Sequence, residues 1–88
     1  MGWTLVRAEA TSETIEPGRG KAFTASFTPP AGYVGVAIRN YNLGAFGAAP
    51  SQLAVYDNNT AYVYITNVTS SAITVAPFFW VLCLKQTP

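Results

Sequence analysis

The chain contains no histidine. That absence removes the commonest general base, the commonest metal ligand and every Ser–His or Cys–His nucleophile pair. Its one cysteine, Cys83, has no internal partner, so folding cannot depend on a disulfide or an oxidising compartment. Charge is scarce too, at 10% of the 88 residues against roughly 25% in an ordinary soluble domain. The five cations, Arg7, Arg19, Lys21, Arg39 and Lys85, form no basic run, and the net charge is +1. Recruitment of nucleic acid or of an anionic membrane surface is therefore not expected.

The carboxylates are few: Glu9, Glu13, Glu16 and Asp57. The glutamates cluster near the N-terminus and Asp57 sits in a turn signal, so two carboxylates flanking one cleft, as glycoside hydrolysis needs, are not expected. Gly18-Arg19-Gly20-Lys21 lacks the spacing of a phosphate loop and leads into a strand pattern, not a helix. These absences predict a non-enzyme with no catalytic residue, no cofactor and no metal site. Met1 to Val6 shows neither a basic start nor a sustained apolar run, which argues against a signal peptide and for a soluble chain made in the cytoplasm. Without such a peptide, the triplets Asn58-Asn59-Thr60 and Asn67-Val68-Thr69 read as chance matches to a glycosylation site. The apolar stretch Ala76 to Leu84 falls far short of the ~20 residues a membrane helix needs, so membrane insertion is not expected.

What is present is strand chemistry. Thr, Val and Ile with the aromatics supply 34 of the 88 residues, the composition of pleated, half-buried surfaces. Six stretches read as strands: Trp3 to Glu9 with a continuation at Thr14 to Glu16, Lys21 to Thr28, Tyr33 to about Asn42, Gln52 to Tyr56, Thr60 to Asn67, and Ile73 to Lys85. Pro17-Gly18-Arg19-Gly20, Pro29-Pro30-Ala31-Gly32 and Asp57-Asn58-Asn59 separate them as turns, and Gly44 to Pro50 reads as a loop. Alternation points Phe23, Ala25 and Phe27 inward, then Val34, Val36 and Ile38, Leu53 and Val55, and Ala61, Val63 and Ile65. The expected fold is one all-β domain over residues 1–88. Its architecture is an antiparallel, jelly-roll-like sandwich or partly closed barrel of about six to seven short strands.

The last strand carries the strongest functional signal. Ile73, Val75, Phe79, Val81 and Cys83 share one parity, and Phe78, Trp80, Leu82 and Leu84 share the other. A sheet with one wet face alternates apolar with polar, and here both faces are apolar. Burying such side chains contributes about 1.5–3 kcal/mol each, so four left in water forgo about 6–12 kcal/mol. A second surface must cover that face: another subunit, or the N-terminal segment Trp3 to Val6 of the same chain. Pro77 is a further complication, because a bulge there would swap the two parities. Phe78, Trp80, Leu82 and Leu84 are the candidate subunit interface. Tyr62 and Tyr64, with Tyr33 and Tyr41, are candidates for stacking on a sugar or for packing at a contact.

The run Ala22-Phe23-Thr24-Ala25-Ser26-Phe27-Thr28-Pro29-Pro30-Ala31-Gly32-Tyr33 is followed by Val36-Ala37-Ile38 and Tyr41-Asn42-Leu43, and the chain closes on Phe79-Trp80-Val81-Leu82-Cys83-Leu84-Lys85. This pattern, over roughly Lys21 to Lys85, resembles small β-sandwich proteins and fibre-end domains from the tail region of Gram-positive siphophages. The resemblance implies a non-enzymatic tail-associated protein that forms a homotrimer or homohexamer. Such a protein contacts other phage tail proteins at the tail tip or host-adsorption apparatus; apart from the resemblance, the tyrosines Tyr62, Tyr64, Tyr33 and Tyr41 leave a carbohydrate-binding module, with host cell-surface carbohydrate as partner, as the alternative reading. The resemblance implies a place in the host cytoplasm during assembly and in the virion tail afterwards, or else an assembly chaperone that does not remain in the particle. The separate shoulder and neck segments of full receptor-binding proteins are missing, which makes the chain at most one module of such a machine.

Overall fold

The two ends of the chain lie side by side. In the computed structural model, which describes residues 2–86, the first strand, β1 (Trp3–Glu9), pairs antiparallel with the last, β8 (Phe78–Lys85), from Trp3 opposite Leu84 to Glu9 opposite Phe78. β2 (Glu13–Ile15) pairs with β7 (Ile73–Val75), and β3 (Gly20–Ser26) with β6 (Thr60–Asn67). β4 (Tyr33–Asn42) and β5 (Ala48–Tyr56) adjoin across the far side. The 1–8, 2–7 and 3–6 pairings are nested as in a jelly roll, but β8 beside β4 and β6 beside β5 depart from jelly-roll sheet order. β4 also pairs with β8 and β5 with β6, giving two three-stranded sheets, β1-β8-β4 and β3-β6-β5, and a two-stranded piece, β2-β7. Every ladder is antiparallel, and among the described residues none joins the two larger sheets, so the fold is a sandwich and not a closed barrel.

Eight strands replace the six expected stretches because the first and last each break in two. Ala10 donates its N–H to the Pro77 carbonyl (3.0 Å), and Glu13 then lies opposite Val75. Three steps on the N-terminal side therefore meet two on the C-terminal side, which is a one-residue bulge. The extra residue falls on the N-terminal side, so Pro77 does not swap the parities: Val75, Pro77, Phe79, Val81 and Cys83 are all buried. On the N-terminal side the parity does change, from buried Ala8 to buried Ile15.

The core comes from the inward parity of β3, β6 and β8. Phe23, Ala25, Ala61, Val63, Ile65, Phe79, Val81 and Cys83 are at most 2% exposed, and Phe27 just beyond β3 is buried with them. β4 departs from the expected alternation. Register shifts between Gly35 and Ala37 and between Ile38 and Asn40 convert its period of two into a period nearer three. Gly35 and Ile38 face inward, while Val34 is half-buried opposite outward-facing Leu84 and Val36 is exposed in the first shift. In β5 a shift between Ser51 and Ala54, with Gln52 at φ 54°, leaves Leu53 exposed while Ala48 and Val55 pack on the core. That strand begins at Ala48, inside the expected loop. Pro50 is tolerated there because β5 lies at a sheet edge, where no ladder bond needs its missing N–H.

The turns follow their residue chemistry. Arg19 N–H donates to the Glu16 carbonyl across Pro17-Gly18, and Tyr33 N–H to the Pro30 carbonyl across Ala31-Gly32; Gly18 (φ 72°) and Gly32 (φ 84°) take the left-handed position. Asp57 (φ 52°) and Asn58 (φ 60°) are left-handed in the β5–β6 hairpin, as expected of the residue types that tolerate it. That hairpin is clamped to the other sheet: Asn58 Nδ2 donates to the Gly35 carbonyl (2.8 Å) and Gly35 N–H to the Asn58 carbonyl (3.1 Å). The end of the Phe27 ring packs against Gly35, where a Cβ would overlap it.

At the opposite end the junction is Asn67, the fully buried polar side chain of β6. Its Nδ2 donates to the carbonyls of Ile15 (2.9 Å) and Ser71 (2.8 Å), and its Oδ1 accepts from the N–H (2.9 Å) and hydroxyl (2.7 Å) of Thr69. Its own backbone exchanges bonds with Gly18 and Arg19. The side chain's donors and acceptors are all used, and one residue ties β2, the β2–β3 turn and the β6–β7 loop together.

Two stability predictions follow from these junctions. Asn67→Ala strands the Ile15 and Ser71 carbonyls without their donor and is expected to cost about 2–4 kcal/mol in urea unfolding. Gly35→Ala forces the Phe27 ring to move and is expected to cost about 1–3 kcal/mol by the same measurement; an unchanged midpoint in either variant would contradict the assigned contact.

Candidate functional site

β8 is the central strand of its sheet, so its outward side chains are flanked on both sides. The ladders set four rows across the outer face: Trp3, Leu84 and Val34; Leu5, Leu82 and Ala37; Arg7, Trp80 and Asn40; Glu9, Phe78 and Asn42. Phe78, Trp80, Leu82 and Leu84 therefore stand together along the middle of this face. The first three are half-buried and Leu84 is 41% exposed. The N-terminal segment does not cover them. It lies beside β8 in the same sheet and adds Trp3 (49% exposed) and Leu5 (39% exposed) to the same apolar surface. The intrachain alternative for covering the last strand is thus overturned: antiparallel pairing puts Thr4, Val6 and Ala8 toward the core and Trp3 and Leu5 outward.

The face has texture. Arg7 lays its guanidinium 4.0 Å from the Phe78 ring centroid and 5.8 Å from that of Trp80, a cation–π arrangement, while its Nε donates to Glu9 (3.3 Å). At the other end the surface is open. Trp3, Leu5, Trp80, Asn40 and Arg39 line one shallow concavity, and Trp3, Leu82, Leu84 and Arg39 line its neighbour. Arg39, displaced outward by the second register shift of β4, makes no salt bridge among the described residues. A surface of Trp and Leu bordered by Arg, poor in Lys and carboxylate, has the composition of a protein contact.

The four tyrosines do not converge. Tyr62 and Tyr64 lie on the outer face of β3-β6-β5, while Tyr33 and Tyr41 stand near opposite ends of β4 in the other sheet. Tyr33 packs against the core and Tyr41 is 38% exposed. The Tyr64 ring lies across Gly20, where a Cβ would overlap it, and Tyr62 meets Tyr56 edge to face at 5.4 Å between centroids. Tyr56, not singled out from the sequence, completes a face of Ala, Ser, Thr and Tyr without a charged side chain: Ala22, Tyr64 and Ser51; Thr24, Tyr62 and Ala54; Ser26, Thr60 and Tyr56. The two outer faces are chemically opposite, one oily and one hydroxylic.

Glu13 accepts from Lys21 (2.8 Å), Glu9 from Arg7, and Asp57 occupies the hairpin turn. Among the described residues no group of three His, Cys, Asp or Glu side chains gathers to hold a metal. Asn67 is buried, so its glycosylation triplet is closed in the folded chain. Cys83 is buried, and desolvation raises its thiol above the ordinary 9.0. The fold therefore favours the protonated thiol; its contribution to stability is complete below the unfolded-state value and is lost as pH rises through the folded one. Cys83 is expected to resist alkylation at pH 8 in native buffer and to react in denaturant, as mass spectrometry reads directly; fast native labelling would place it outside the core. No protein-family model, curated protein or solved structure matches this chain.

Proposed function

We propose that this chain is a non-enzymatic assembly module that forms a homotrimer or homohexamer, tail-associated in a bacteriophage, with the outer face of β1-β8-β4 as its subunit contact. One observation carries the reading: the apolar face of Trp3, Leu5, Trp80, Leu82 and Leu84 stands open beside a core whose own parity is already fully buried. Three strands about 4.8 Å apart and eight residues at about 3.4 Å each span roughly 400 Å² of sheet. Two such faces together come to about 800 Å² of projected sheet, so the face needs a further contact to reach the about 1,200 Å² at which stable protein interfaces begin. The elongation of the chain supports the same reading. Its radius of gyration is 14.1 Å, where a compact domain of this length has about 12 Å, so more of its apolar surface lies outside the monomer core.

The phage assignment rests on the resemblance of residues 21–85, and the oligomer on the face. Within that assignment the chain acts as a component of the tail tip or adsorption apparatus, contacting other tail proteins. Mass spectrometry of purified particles tests this: peptides of the chain in the particle support it, and expression without incorporation transfers the role to assembly assistance.

Light scattering after size exclusion is expected to give three or six times the 9.4 kDa chain mass. Leu82→Asp, which sets a charge in the centre of the face, is expected to reduce that to the single-chain mass with the far-ultraviolet strand signal retained. A Leu82→Asp protein of undiminished assembly mass would remove the face from the proposal.

A further inference from the structure

A sheet edge displays unpaired N–H and C=O groups, and proteins block such edges with bulges, proline, inward-pointing charge or short strands. This fold applies those devices to every edge strand except one. β4 carries two register shifts. β5 carries one, with Pro50 and the left-handed Gln52 beside it. β3 places Lys21 on the inward parity of Phe23 and Ala25. β2 and β7 are three residues long. β1 has none of these: seven residues in unbroken register with β8, without Gly, Pro or Lys, its inward positions filled by Thr4, Val6 and Ala8 and both its charges, Arg7 and Glu9, turned outward.

The hydrogen bonds set which backbone groups of β1 are free. Lys85 N–H donates to the Gly2 carbonyl and Ala10 N–H to the Pro77 carbonyl, so the even-numbered residues of this arm face β8. Alternation then directs the N–H and C=O of Trp3, Leu5, Arg7 and Glu9 to the edge away from β8, where β3 of the other sheet comes near but gives them no backbone hydrogen bond among the described residues.

We infer that this edge pairs with the same edge of a second copy, antiparallel about a two-fold axis at Val6. That register sets Trp3 opposite Glu9 and Leu5 opposite Arg7 of the second copy, and all four outward residues enter the ladder. A two-fold at Arg7 instead would oppose two guanidinium groups and shorten the ladder. A second copy suits the edge for two reasons. The strand carries one cation and one anion on the same face, so an antiparallel copy meets it without net repulsion. The pairing also continues the sheet as β4-β8-β1-β1-β8-β4, joining two apolar outer faces into one. This contact is separate from the face contact proposed above and does not depend on it; together, a two-fold edge and a three-fold face close as a hexamer.

Amide hydrogen exchange on the purified chain alone, read residue by residue by nuclear magnetic resonance across a dilution series, tests the pairing. The amides of Trp3, Leu5, Arg7 and Glu9 are expected to slow by about tenfold or more as concentration rises. Those of Thr4, Val6 and Ala8, bonded to β8, stay slow throughout. Leu5→Pro removes one outward N–H and leaves the β1–β8 ladder whole, so it is expected to abolish the concentration-dependent protection. Leu5→Ala trims the apolar face more but keeps the N–H, and is expected to retain it. An assembled protein whose four odd-numbered amides exchange rapidly at every concentration overturns the edge pairing and leaves the face contact standing. Equal loss in both Leu5 variants also overturns it, assigning the protection to the face. A chain that is monomeric by light scattering with fast odd amides overturns both contacts, and protection that appears only with a different polypeptide added overturns the second copy as the occupant.

Discussion

The structure depends on one long-range constraint: the segment from Trp3 to Ile15 must pair with the segment from Ile73 to Lys85. Each arm alone is a flexible strand with one sticky side. Joined, they form a single antiparallel ribbon that crosses one bulge and supplies β8 with its first neighbour, β2 with its partner β7, and the core with Ala8, Ile15, Val75, Phe79, Val81 and Cys83. Nothing local substitutes for it, because this ladder brings together residues from opposite ends of the chain. A fold whose central sheet closes on its termini has high contact order and is expected to fold slowly for its size. Asn67 and the Asn58–Gly35 clamp then hold the two ends of the sandwich at opposite extremes of that ribbon.

The same constraint produces the apolar outer face. Because β8 is central and its odd-numbered side chains fill the core, its even-numbered side chains cannot be accommodated inside an 88-residue sandwich. They have to appear on the outer surface of the sheet. Pairing with β1 in strict register then sets Trp3 and Leu5 beside Leu84 and Leu82, so two short apolar segments from opposite ends of the sequence become one surface. Arg7 stacked on Phe78 shields one end of it while the other end stays open. The bulges of β4 have a related consequence: by turning Gly35 and Ile38 inward they push Val36 and Arg39 out to the margin of this face, and they make that margin unfit for a further strand.

What was legible in the sequence divides along the same line. β3 and β6 keep a period of two, so alternation alone turns Phe23, Ala25, Val63 and Ile65 inward, whereas in β8 both parities are apolar and only the pairing shows that Val81 and Cys83 fill the core. The turns were legible because Pro-Gly and Asp-Asn chemistry is local. The inward assignment of Val34, Val36 and Leu53 failed where a bulge inserts a residue, since a bulge changes the period without changing the composition. The four even-numbered residues of β8 were legible as a face, but their companions Trp3 and Leu5 were not. Their parity against Thr4, Val6 and Ala8 was a visible signal, but which strand lies beside β8 is a fact of long-range pairing that no local pattern records. The tyrosines illustrate the converse: Tyr62 and Tyr64 were correctly turned outward, yet grouping them with Tyr33 and Tyr41 joined residues that belong to different sheets.

Edge protection shows why the apolar face and the open strand belong together. Bulges, proline and an inward lysine each weaken a sheet locally, and the fold accepts them at β3, β4 and β5, where the neighbouring outer surfaces are hydroxylic or marginal. At β1 the same devices would interfere with the face itself. A bulge would throw Trp3 or Leu5 out of line with Leu84 and Leu82, an inward lysine would replace Val6 or Thr4 against the core, and a proline at an even position would break the ribbon that closes the chain. The straightness that aligns the apolar rows is therefore the straightness that leaves the odd-numbered N–H and C=O groups exposed in an uninterrupted line. A monomer would keep both liabilities, the oily face and the unpaired edge, on the same strand. Association through copies of the chain would relieve them together, because Trp3 and Leu5 belong both to the apolar face and to the edge strand.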